Sequence, residues 1–235
     1  MGKGRVPTRI IKHDEFVSAV SRLLLYLEGH PRRVGAVGLG LAVLAAALVA
    51  AALHSRGRSR EADLALGSAL ATFRSAPLSA AASPGAYAPA LEEFLRVREE
   101  YPRSGSARTA SFYAGLCLVE LGRREEAREA LEEFVRRFPK AIHAPQARLA
   151  LARLAEEGNE PDLARRWYGE AAEQDSLALP RSEALLELAR FLERVGDREE
   201  AARVYERLQS DFPGSEFALL AQQRAQVLIR GNSSP

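Results

Sequence analysis

From Ala110 the chain places apolar residues at helical spacing, A-S-F-Y-A-G-L-C-L-V-E-L, until Gly122 interrupts the pattern. A second such pattern runs from Glu125 to Phe138, and Pro139 ends it. Apolar positions recurring every three or four residues predict amphipathic helices, and the glycine and proline mark their turns. The plan returns at Gly196, followed by Asp197-Arg198-Glu199-Glu200-Ala201-Ala202, and closes at Phe212-Pro213. A weaker copy lies between, with Gly158, Ala164, Tyr168 and Ala171. Its turn glycine comes one residue early, and Ser176 stands where the proline should be. Pro102 and Pro139 are 37 residues apart, and Pro139 and Pro213 are 74 apart, twice that spacing. A fixed period of this length predicts stacked helical hairpins, hence an all-α fold with an α-solenoid over residues 86–230.

The flanks of the array read differently. Residues 59–75 form a helical pattern with Leu64, Leu66, Leu70 and Phe73, then comes a small-residue loop over 76–85 and a helix from about 88 to Tyr101. A closing helix over 216–230 carries Phe217, Leu220, Ala221, Val227 and Leu228, and 231–235 is a tail. Upstream, Asp14 to Glu28 has the spacing of a short amphipathic helix, stopped by Gly29-His30-Pro31. Val34 to Leu53 is twenty residues without a charge, about 30 Å as a helix, the thickness of a hydrocarbon core. Its 33-residue approach is longer than a signal-peptide n-region, so the expectation is an uncleaved transmembrane anchor. The division expected is a cytoplasmic segment (1–33), a transmembrane helix (34–53), a first helix and loop (54–85), and the array.

Charge adds an orientation. The chain has 33 basic and 31 acidic residues, a net charge of +2. Residues 1–53 carry seven basic and three acidic side chains, so the excess lies before the span. That favours a cytoplasmic N-terminus and repeats on the outer face. The near-neutral remainder lacks the electrostatics of a nucleic-acid binder. Cys117 is alone, which rules out an intrachain disulfide, and its apolar neighbours predict a buried side chain. The four histidines are scattered, and no phosphate-binding loop, zinc motif or catalytic constellation appears. The sequence therefore predicts no enzyme, cofactor or metal site. Pairs such as Glu132/Arg136, Glu133/Arg137 and Glu199/Arg203 have the order that supports solvated helix faces.

The small residues Gly115/Ala127, Ala152/Ala164 and Ala189/Ala201, with large Leu131, Tyr168 and Tyr205, recur once per period. In this the chain resembles the tetratricopeptide repeat family. That resemblance implies a concave groove lined by the first helix of each hairpin, here Phe112, Leu116, Val119 and Glu120, then Leu149, Arg153, Glu156 and Glu157, then Leu186, Arg190, Glu193 and Arg194. The family's clamp for a C-terminal carboxylate needs Lys and Asn where this chain has Phe112/Leu116, Leu149/Arg153 and Leu186/Arg190, so that ligand is not expected. Two readings of Phe112, Leu149 and Leu186 stay open: contacts for an amphipathic or extended polypeptide, or packing between helices.

The layout, with the D-E-F-V-x-A-V-x-R pattern of residues 14–22, is similar to the bacterial inner-membrane family of ancillary Sec translocon subunits. That likeness implies periplasmic repeats that help pass secreted chains to chaperones, beside an integral-membrane partner. The linkers around Phe138-Pro139 and Phe212-Pro213 resemble those of periplasmic repeat proteins of Tol–Pal coordination and outer-membrane barrel assembly. They imply the alternative of a scaffold subunit in an envelope machine. Either way the expected partners are proteins, with no nucleic acid and no small-molecule substrate.

Overall fold

The computed structural model describes residues 31–80 and 85–231, and every regular element among them is an α-helix. In chain order these are α1 (Pro31–Ala80), α2 (Ala88–Glu100), α3 (Gly105–Glu120), α4 (Arg124–Arg137), α5 (Ala144–Glu157), α6 (Pro161–Ala172), α7 (Arg181–Arg194), α8 (Arg198–Asp211) and α9 (Ala218–Gly231). The chain divides into one unit ending at Gly57 and a second beginning at Arg58.

The first unit contains the stretch expected to span a membrane. Leu39, Val43, Leu44, Leu48 and Val49 are 55–68% exposed. Among the described residues no helix is long and apolar enough to cross a membrane, and several side chains of 34–53 fall outside those described. The expected helix over Asp14–Glu28 lies outside the described residues altogether. One expectation is corrected here. The sequence reading places separate helices over 34–53 and 59–75, whereas α1 runs unbroken to Ala80. Gly57 is the only breaker between them, and one glycine costs about 1 kcal/mol in a helix, too little to end it.

In the second unit, Ala62, Ala69 and Ala76 recur every seven residues along α1 and are buried. Ala69 shares a core with Ala90, Leu91, Phe94 and Val97 of α2. Phe73 keys the contact, with ring centroids 5.3 Å from Tyr87, 6.2 Å from Phe94 and 5.4 Å from Tyr113. The C-terminal part of α1 is thus the first helix of the first hairpin, as the spacing predicts.

The next three hairpins, α3/α4, α5/α6 and α7/α8, have identical turns. Gly122, Asn159 and Gly196 hold positive φ of 71°, 57° and 85°, and they stand 37 residues apart. Each terminates its helix with the same bonds. The amides of Arg123, Glu160 and Asp197 donate to the carbonyls of Leu118, Ala155 and Leu192, all at 2.9 Å. This is the Schellman closure, which needs one left-handed residue. The middle turn therefore keeps the period through Asn159, and Gly158 is an ordinary cap residue with φ −77°. Asparagine adopts the left-handed conformation more readily than most L-residues.

The close helix approach foreseen at the small residues is present. A Cβ built on Gly115 would lie 2.6 Å from Leu131 Cδ2 and 2.8 Å from its Cγ, and Leu131 is fully buried. Ala127, Ala152, Ala164, Ala189 and Ala201 are fully buried as well, as are Tyr168 and Tyr205 at the position of Leu131. Two core clusters run along the stack, and Trp167 packs against both. Helix α9 sits one period after α7. It buries Ala221, Ala225 and Leu228, but Gln222, Gln223 and Gln226 replace the buried Leu185, Leu186 and Ala189. These three positions are therefore polar in α9, while Leu219, Val227 and Ile229 of the same helix are also exposed.

Arginines stitch successive hairpins together. Arg128 pairs with Glu160 at 2.7 Å, and Arg165 with Asp197 at 2.8 Å, the same bond one period on. Arg207 reaches Glu173 at 3.1 Å. Of the pairs expected within helices, Glu133–Arg137 forms at 3.0 Å, while Arg203 turns to Glu200. Pairs this exposed contribute at most about 1 kcal/mol each, so packing carries the stack.

The Gly115–Leu131 contact predicts that Gly115→Val destabilises the array by about 1–3 kcal/mol through overpacking. Adding Leu131→Ala should recover part of that loss. Urea denaturation of the two single variants and the double variant checks the coupling.

Candidate functional site

The first helices α3 and α5 share one side of the array. There α3, α5 and the loop leading into α7 enclose a groove of about 480 Å³. Its floor is apolar, built from Phe112, Leu116 and Val119 of α3, Leu149 and Leu154 of α5, and Leu179 of the loop. Glu120, Arg153, Glu157 and Glu183 stand at its edge.

Seven of the twelve expected groove residues line this cavity: Phe112, Leu116, Val119, Glu120, Leu149, Arg153 and Glu157. They play different parts. Phe112 and Leu149 are only 2% and 8% exposed, whereas Leu116 and Val119 are half-buried. The open question about Phe112 and Leu149 resolves toward packing: they form the bottom of the groove from within the core. Leu186, at 2% exposure, is core alone. Arg190 and Arg194 do not line the cavity, and all three expected arginines are engaged. Arg153 and Arg190 both reach Glu187 at 3.2 Å, and Arg194 binds Glu156.

The sequence reading missed Tyr113, Gln146, Leu179 and Glu183. Tyr113 neighbours an expected position but faces the aromatic cluster around Phe73 and Phe94. Leu179 belongs to an irregular loop, where helical spacing carries no information. Gln146 fixes that loop by donating from Nε2 to the Ala178 carbonyl at 2.8 Å, while its Oε1 lies 2.9 Å from His143 Nδ1. The His143 ring in turn stacks on Phe112 at 4.7 Å.

Arg153 and Glu157 at the groove edge are neutralised by partners, Glu187 at 3.2 Å and Arg124 at 3.0 Å. Glu120 and Glu183 form no ion pair among the described residues. The free charge at the groove is therefore negative. It favours a ligand that pairs apolar side chains with basic ones.

A carboxylate latch closes the far end of the middle hairpin. Glu156 accepts from Arg194 through two bonds, at 2.6 and 2.9 Å, and from the Tyr168 hydroxyl at 2.9 Å. The Arg194 bonds, aided by Tyr168, hold the Glu156 carboxyl below its ordinary value of 4.5. Burial, reinforced by the adjacent carboxylate, raises the Tyr168 hydroxyl. Arg224 clasps Glu193 in the same way, one period after Glu156, beside Tyr205. In the first hairpin the corresponding positions are Val119, in the groove floor, and the fully buried Leu131, so there the latch is replaced by apolar side chains. Cys117 lies under this floor, and burial pushes its thiol up to about 12, with the Glu120 charge adding to the shift. It is a packing residue and stays protonated.

Sequence models of the tetratricopeptide repeat match residues 109–141 and 182–227. The chain carries tetratricopeptide repeats. The repeat between them, outside both matches, has the same turn and the same packing. No curated protein sequence matches the chain. Among solved structures, the fold is similar to the TPR-like repeats of a Podosopora anserina kinesin light chain protein. The two are 18% identical, with 74% of this chain and 88% of that chain covered and a TM-score of 0.55. The protein MamA, at 17% identity, covers 72% of this chain and 82% of its own at a TM-score of 0.49. Repeats of this kind are those of a protein–protein interaction module.

The latch gives the array an acid limit. Because Glu156 titrates lower folded than unfolded, its contribution is complete above the unfolded value and is lost as pH falls through the folded one. The array should lose stability below about pH 4.5, and Glu156→Gln should flatten that slope. Thermal melts followed by circular dichroism from pH 7 to 3 check both.

Proposed function

We propose that the chain is a membrane-anchored interaction module whose groove takes a polypeptide segment. The observation that carries this reading is the half-exposed pair Leu116 and Val119 on an apolar floor bounded by unpaired carboxylates. A helix or strand with an apolar face and basic flanks fits such a surface. Anchoring by residues 34–53 is supported by the absence of charge across that stretch and by the exposure of Leu39, Val43, Leu44, Leu48 and Val49. The surplus of basic residues before it favours a cytoplasmic N-terminus and periplasmic repeats in the bacterial inner membrane. The layout and the motif over 14–22 support a place beside the Sec translocon, receiving secreted chains for hand-off.

Leu116→Glu combined with Val119→Glu places charge at half-exposed sites without opening the core. These changes should abolish photocrosslinking to a translocating chain while leaving the helical circular dichroism signal unchanged. Undiminished crosslinking would move the contact elsewhere.

Protease added outside spheroplasts should digest the repeats and leave a fragment containing the first 53 residues. Full protection of the repeats would reverse the proposed orientation.

A further inference from the structure

The opposite, loop end of the first full repeat holds a second cleft, of about 620 Å³, between α2, α3 and the end of α4. Arg98, Arg103, Arg108 and Arg137 line it, against one acid, Glu99. Leu95 and Phe138 supply apolar wall, with the Arg108 and Arg137 guanidinium groups 5.5 and 5.3 Å from the Phe138 ring. Arg137 is paired with Glu133, but Arg98, Arg103 and Arg108 form no ion pair among the described residues.

The repeat itself supplies the comparison. One period on, Ser111 becomes Arg148, Arg137 becomes Gln174, and Glu133 becomes Glu170. There Arg148 is 9% exposed and fills the equivalent space. It donates to Gln174 Oε1 at 2.9 Å and to the Pro139 carbonyl at 3.3 Å, and lies 3.4 Å from Glu170. A further period on, the place of Ser111 is taken by the buried Leu185, and Asp211 stands at the position of Arg137. The second repeat thus fills this cleft with Arg148 and sets acceptors around it, while the third has the buried Leu185 in its place and Arg207 at the position of Glu170. The first repeat leaves it open and sets cations around it.

We infer that this cleft is a binding site for an acidic polypeptide segment, whose carboxylates take the place of the acceptors found in the second repeat. Arginine suits this role because its planar fork binds carboxylates in pairs. The Leu95–Phe138 wall would seat an apolar side chain between the acids. The site is separate from the concave groove and reads the opposite charge.

The test uses the full-length chain in detergent solution and a fluorescein-labelled peptide that alternates Glu and Asp around one Leu and one Phe. Its Gln/Asn counterpart is the control. The acidic peptide should bind, weaken as salt is raised, and exceed the control by about tenfold or more. Ser111→Arg with Arg137→Gln copies the second repeat into the first, so it should fold, retain the circular dichroism signal and lose the peptide about tenfold. Leu116→Glu with Val119→Glu should leave this binding unchanged, which keeps it distinct from the concave groove. Equal affinity for the two peptides, or binding indifferent to the double variant, would overturn the proposal. So would binding of sn-glycerol 3-phosphate, lost in the same variant, without peptide binding, which would assign the cleft to a lipid headgroup.

Discussion

How near the two helices of a hairpin can approach governs everything built on them. At Gly115 the approach leaves no room even for a methyl group, and Leu131 occupies the space. Alanine keeps the same intimacy at Ala152 and Ala189, where tyrosines take the place of the leucine. With the helices this close, one large residue per hairpin fills the seam, and the seam fixes the angle at which the next hairpin stacks. The groove lies where the first helices of two successive hairpins meet the loop into α7. Val119 belongs to its apolar floor, at the position where the later hairpins place a carboxylate.

The period, the pairing of helices and the small residues were legible in the sequence because each is a spacing rule that local residues must satisfy. The middle turn was misread at Gly158, since glycine is the strongest turn signal and asparagine a quieter one; only the backbone reveals that Asn159 carries the left-handed φ. The length of α1 was misjudged for the opposite reason: Gly57 looks like punctuation yet lacks the energy to act as such.

The candidate groove was half legible. The family resemblance placed Phe112, Leu116, Val119, Leu149 and Arg153 in the groove, but a repeat pattern carries no information on depth, and depth separates Leu116 from Phe112. Nor does it carry information on pairing between hairpins. The arginines expected to meet a ligand are held by Glu156 and Glu187, acids one hairpin away or on the same helix, while the free charges are Glu120 and Glu183. The loop residue Leu179 falls outside any periodic rule.

The glutamines of α9 bear on how such molecules behave at high concentration. A solenoid whose last helix offered Leu and Ala in place of Gln222, Gln223 and Gln226 would present a template matching the start of another array. Copies could then add end to end, as subunits add to a filament. Three amides well served by water lower the gain from that addition at these positions. They mark α9 off from the first helices before it, while Leu219, Val227 and Ile229 leave other parts of the same helix apolar and exposed.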